Sequence, residues 1–101
     1  MGTASYILIG QPTGMDVSFG STAHGAGRVL SRKAALRQFW GTTVRDELKG
    51  KGIFVKSANP KIIAEEAPGV YKDIDAVAEV SDNLGIGKRV VRLKPIAVVK
   101  G

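Results

Sequence analysis

Apolar residues gather at the two ends of the chain, with helix-like and strand-like patterns between them. Residues 5–9, "SYILI", read as a short buried strand, with the break supplied by "GQPTG". Residues 17–19 read as a second, shorter extended piece. Across residues 20–27, "GSTAHGAG", the side chains are too small and the glycines too frequent for a regular element. Ser31 suits the N-cap of a helix through "RKAALRQF", and Leu36, Phe39 and Trp40 fall at helical spacing, as core residues would. Gly41 and two threonines interrupt this pattern. Thr43 and Asp46 then resemble a capping box that restarts a helix through Leu48 and ends at Gly50.

Further along, "GIFVKS" predicts a strand ended by "ANP". Residues 61–72 fit no single pattern, and Pro68 with Gly69 enforces a turn. Asp73 can cap a helix over "IDAVAEVSDNL", where Ile74, Val77, Val80 and Leu84 fall on one face and Gly85 supplies the stop. "RVVRL" and "IAVVK", parted by Pro95, read as a final strand or pair of strands. The predicted class is α+β (mixed α/β): short strands, about three helices and a glycine-rich loop, in one domain over residues 1–101 with no internal repeat. Apolar strands at both ends want neighbours, so the chain is expected to be a piece of something larger.

Composition narrows the partners. The 101 residues suffice for one modest domain with a thin core, and 44% hydrophobic with 24% charged residues is ordinary for a globular protein. Cysteine is absent, which removes disulfides and thiolate metal sites and fits a cytoplasmic setting. The net charge of +6 favours polyanions such as nucleic acid or nucleotides, although a basic surface can also be plain solvated lysine. Basic residues crowd the stretch after residue 24 and the C-terminal end, with most acids between.

The candidate chemistry centres on His24, the single histidine. A lone histidine is by default a surface or structural residue. Here Gly20, Gly25 and Gly27 clear side chains from around it, and the loop runs straight into a helix start, where free amides favour anions. Arg28 and Arg32 can reach the same place and bind phosphate oxygens in forked geometry. An exposed imidazole beside bound phosphate can act as nucleophile or general acid, or merely as a hydrogen-bond donor. Tyr71, in its Pro-Gly turn, is a candidate exposed ring to stack on a base, and a terminal strand could carry Lys100 back into a site. "GAGRVL" lacks the third glycine of the dinucleotide fingerprint, and no Walker sequence occurs. "GIGKR" is better explained as a helix end. No carboxylate spacing suggests a metal site, and no nucleophile elbow supports a Ser–His–Asp triad with Ser21 or Ser31.

Three stretches together carry a resemblance. "FGSTAHGAGRVLSR", "YKDID" and the ending "RLKPIAVVKG" resemble the C-terminal part of the RtcB family of GTP-dependent RNA-splicing ligases, in order and across essentially the whole chain. The resemblance implies the C-terminal part of that fold, and an activity that joins an RNA 3′-phosphate, or a 2′,3′-cyclic phosphate once opened, to a 5′-hydroxyl in tRNA splicing and RNA repair. It implies GTP and manganese as cofactors, tRNA exon halves as partners, and an archease-type helper. It makes His24 the residue that carries GMP. Gly25, Ala26 and Gly27 would line the nucleotide site, with Met1 and Ser5 beside it, Lys100 on the guanine and Tyr71 near the base. Arg28 and Arg32 would meet phosphates of nucleotide or RNA. The manganese ligands of the family belong to an upstream part absent here, so no metal residue is assigned and the chain alone is expected to be inactive.

A non-catalytic basic module that binds nucleotide or RNA accounts for the same loop and charge. The two readings part at His24→Ala, which abolishes a covalent adduct only under the first. A self-associated piece, its apolar ends pairing between copies, is a third reading.

Overall fold

The computed structural model describes all of residues 1–101. In chain order the elements are β1 (Ser5–Gly10), α1 (Thr13–Ser18), α2 (Arg32–Gln38), α3 (Gly41–Gly50), β2 (Phe54–Ser57), α4 (Pro60–Glu65), a 3₁₀ turn (Pro68–Val70), α5 (Ile74–Asn83), β3 (Gly87–Leu93) and β4 (Ala97–Lys100). The mixed α+β class is as expected, with five α-helices rather than about three. The extra two, α1 and α4, lie where proline and glycine made the pattern unreadable. The chain forms two compact units, one of Met1–Thr3, Arg28–Tyr71 and Pro95–Gly101, the other of Ala4–Gly27 and Lys72–Lys94.

The first unit owns the apolar core. Ala35 of α2, Val44 and Leu48 of α3, Ile53, Val55 of β2, Ile63 of α4, Ala67 and Val70 are buried together, with Met1, Leu30, Phe39, Tyr71 and Val98 packed on them. Each fully buried aliphatic side chain, such as Leu48, contributes roughly 1.5–3 kcal/mol. β2 and β4 pair in parallel, Phe54 with Ala97 through Ser57 with Lys100, so the last residues return beside the middle of the chain. Ser31 caps α2 as predicted, its hydroxyl accepting from the Ala34 amide at 3.1 Å.

Three expectations fail here. α3 does not restart at Thr43. It begins at Gly41, with Trp40 as N-cap and no capping box. Gly41 is a packing position: a Cβ there would stand 1.9 Å from the Pro60 carbonyl oxygen, so its bare Cα lets α3 approach α4. Trp40 and Leu36 are not core residues. α2 ends at Gln38, and Phe39 and Trp40 leave it with extended dihedrals, so their helical spacing is lost. Phe39 turns inward to the core while Trp40 stays 77% exposed.

The second unit is thinner. β1 and β3 form an antiparallel pair with an irregularity between Ile7 and Leu8, and α5 packs on β3. β1 is half-exposed instead of buried, because a two-stranded sheet covered on one face leaves Ile7 and Ile9 in solvent. Residues 17–19 are not extended. They end α1, where Phe19 adopts φ 53° and its amide returns to the Gly14 and Met15 carbonyls. Asp73 caps α5 as predicted, accepting from Asp75 N at 2.9 Å. The inward stripe of α5 is Ile74, Val77, Ala78 and Ser81, and Val80 and Leu84 face out. Gly85 adopts φ 69° at the helix end, as a stop residue should. "RVVRL" and "IAVVK" do not pair with each other; each finds an earlier strand.

Ion pairs join α5 to β3 in this unit. Arg92 of β3 grips Asp75 of α5 with two bonds, Nε to Oδ1 at 2.9 Å and Nη2 to Oδ2 at 3.1 Å, and Tyr6 of β1 donates to the same carboxylate. Arg89 reaches Asp82 at 3.0 Å. The Arg92 bonds, helped by Tyr6, hold the Asp75 carboxyl at a pKa of about 2, below its ordinary 3.8. A depressed carboxyl stabilises the fold above its ordinary pKa and loses that contribution as pH falls through about 2. Carbon NMR of the Asp75 carboxyl should therefore show a midpoint near 2 that moves part of the way back toward 3.8 in Arg92→Ala, Tyr6 still donating. In the first unit, Gly41→Ala should cost roughly 1–3 kcal/mol in chemical denaturation, because the added methyl meets fixed backbone.

Candidate functional site

His24 lies in the exposed loop of the second unit, between α1 and the end of that unit's first segment at Gly27. Both ends of the loop are tied. At the start, the Ser18 hydroxyl donates to the Ser21 carbonyl at 2.6 Å and the Ser21 amide donates to the Ser18 carbonyl at 3.0 Å. At the finish, the Lys72 amide donates to the Gly27 carbonyl at 3.0 Å. A Cβ at Gly25 or Gly27 would meet no atom within 4 Å, while Gly27 needs its glycine for φ 76°. Ala23, next to the histidine, borders a groove of about 360 Å³ shared with Lys72, Asp73, Ala76, Val77 and Ser81. Ser5 is also in this unit, exposed at the first position of β1.

The first unit brings together Arg28, Tyr71 and Lys100. Glu66, at the C-cap of α4, joins them. Arg28 Nη1 donates to Glu66 Oε1 and to the Tyr71 hydroxyl, both at 3.2 Å. Its Nε donates to the Leu30 carbonyl at 3.0 Å, and Nη2 donates to the Glu65 carbonyl at 2.7 Å. The guanidinium also stands over the Tyr71 ring, 5.2 Å from its centroid. The Tyr71 hydroxyl donates to Glu66 Oε2, and Lys100 Nζ lies 3.6 Å from the same oxygen. Register places Lys100: it is the last residue of β4, paired with Ser57.

Glu66 is the residue that motif reading missed. Burial pushes its carboxyl up, but the Tyr71 hydroxyl, Lys100 and Arg28 outweigh this and hold it below the usual range. Burial first, and then the Glu66 carboxylate, raise the Tyr71 phenol. Tyr71 is thus half-buried and hydrogen-bonded rather than an exposed ring, and Arg28 has four of its five N–H groups engaged. Arg32, the first residue of α2, is exposed and only 3.8 Å from Glu65. Met1 packs on the core, and burial, then Lys100, lower the pKa of its amine. One available signal for Glu66 was its place in the acid pair Glu65–Glu66, bracketed by Ala64 and Ala67 in a basic chain.

Comparison with known proteins decides the kinship. The sequence model described as "tRNA-splicing ligase RtcB" matches residues 1–101. The chain belongs to the RtcB family. The RtcB protein of Pyrococcus horikoshii, named a tRNA-splicing ligase, is 56% identical over all 101 residues, which are 12% of its length. The like-named protein of Thermococcus kodakarensis is 52% identical over 21% of its length. "RNA-splicing ligase RtcB homolog 2" of Entamoeba dispar is 50% identical over 19%. The chain thus spans about a tenth to a fifth of the curated RtcB relatives it matches. No helix is long and apolar enough to cross a membrane.

No three His, Cys, Asp or Glu side chains are grouped so as to hold a metal ion. Loop geometry gives a direct check on the site. Gly27→Ala should cost about 1–2 kcal/mol through its left-handed backbone, although the space is open. Gly25→Ala, with open space and no positive φ, should stay within about 0.5 kcal/mol of wild type in denaturant melts.

Proposed function

We propose that this chain supplies the nucleotide-accepting histidine of a GTP-dependent RNA ligase. The observation that carries the reading is the exposed His24 in a loop where Gly25 and Gly27 open onto free space, in a chain of the RtcB family. A nucleotide phosphate can approach that imidazole without displacing a side chain. The neutral ring nitrogen attacks the α-phosphorus of GTP, an N–P bond forms, and pyrophosphate leaves. An oxygen of the RNA 3′-phosphate then attacks the same phosphorus, the N–P bond breaks, and GMP activates the RNA end. The 5′-hydroxyl of the second RNA displaces GMP and gives the phosphodiester.

In this reading Lys100 and Tyr71 meet the base, Met1, Ser5 and residues 25–27 border the nucleotide, and Arg32 is available to phosphate. Arg28 contributes its last free N–H, its main work being internal. Manganese acts from residues other than these 101, so His24 works with the metal-binding part of an RtcB polypeptide. The RNA substrate and a helper protein follow from the same resemblance.

The test is intact mass after incubation with GTP and manganese, for this chain alone and mixed with the metal-binding part of a Pyrococcus RtcB protein. A GMP-sized, acid-labile gain should need both parts and vanish in His24→Ala. No gain in a mixture shown to assemble would sink the reading in favour of a non-catalytic binding module.

A further inference from the structure

We propose that Glu66 is a positioning residue for nucleotide recognition, holding the Lys100 ammonium and the Tyr71 hydroxyl in one arrangement. The inference rests on the ligase reading above, and adds to it a residue that touches no substrate itself.

Glu66 is well fixed. It closes α4, it is followed by fully buried Ala67 and the 3₁₀ turn, and its side chain is only 17% exposed. Its two oxygens divide the work. Oε1 takes Arg28, and Oε2 is shared by Tyr71 and Lys100. Arg28 is itself pinned by the Leu30 and Glu65 carbonyls, so it braces the carboxylate from the far side. The geometry matters most for Lys100, whose long stem has many rotamers and whose ammonium is a compact charge. One ionic contact at 3.6 Å selects among those rotamers, and the ammonium keeps further donors for a ligand. Two full cations, Arg28 and Lys100, face this single carboxylate, so the cluster stays positive and suits an anionic ligand.

Glu66→Gln keeps the shape and one acceptor but removes the charge that attracts Lys100, and turns an amide N–H₂ toward donors. The experiment measures GMP-adduct formation against GTP concentration, with the chain assembled with the metal-binding part. Wild type, Glu66→Gln, Glu66→Asp, Lys100→Ala and the Glu66→Gln/Lys100→Ala pair are compared. Glu66→Gln should raise half-saturating GTP about tenfold, the scale of one charged hydrogen bond, with the plateau rate within about twofold. Its preference for GTP over ATP should fall with it, and the double variant should lose less than the two single losses multiplied, keeping only the Tyr71 share of the Glu66 effect. Glu66→Asp, which keeps the charge but falls short of Lys100, should lie between, and it carries the test should Glu66→Gln not fold. An unchanged half-saturation in either folded variant, or losses that multiply in the double variant, would overturn the inference. A wild type that forms no adduct overturns the ligase reading instead, which is a distinguishable result.

Discussion

The Arg28 guanidinium is the constraint on which the arrangement of the first unit most depends. It follows directly on the glycine loop, yet its hydrogen bonds run to the end of α4 and the residue after the 3₁₀ turn. A bare arginine there would leave residues 28–30 free to swing. Instead, the Val29 and Leu30 amides both reach the Val70 carbonyl, and Arg28 bridges Tyr71 as an isolated antiparallel pair. Only 22% of its side chain is exposed, so its charge is partly desolvated. Such a cation must be matched, because a buried partner removed leaves an uncompensated charge that costs several kcal/mol. Glu66, Tyr71 and two carbonyls supply that match. Its internal bonds thus give Arg28 a structural role in this unit.

The two units solve the problem of small size differently. The first buries Leu48, Val70, Ile63 and their neighbours under three helices and a parallel strand pair. The second has few buried side chains and relies on Asp75 and Asp82 of α5 meeting arginines of β3. Exposed pairs of this kind are worth little one at a time, but Asp75 takes a forked arginine and a tyrosine together. His24 belongs to neither scheme: its loop is tied at Ser21 and Gly27 and has open space at Gly25 and Gly27.

Much of this was legible in the sequence. Ser31 and Asp73 as caps, Gly85 as a stop, the strands at residues 5–9 and 54–57, and the bare loop around His24 all follow from local chemistry: short side-chain oxygens accept from free amides, and glycine alone takes left-handed backbone cheaply. The resemblance to RtcB proteins was equally a property of sequence, because motif order and spacing survive without any coordinates. Each of these signals spans a few residues.

Only tertiary structure decided the rest, and the physical reason is distance along the chain. Gly41 reads as a breaker until Pro60 is seen against it. Trp40 reads as core until α2 ends one residue early, at Gln38, and turns it outward. The face of α5 that is buried depends on where β3 lies, so Ala78 and Ser81 go in while Val80 stays out. Glu66 gains its meaning from Arg28 and Lys100, 38 and 34 positions away, which helix packing and the β2–β4 register bring to one carboxylate. Sequence by itself determined the caps, the loop and the family; long-range packing determined which charges face one another, because Coulomb energy depends on separation in space and not on order in the chain.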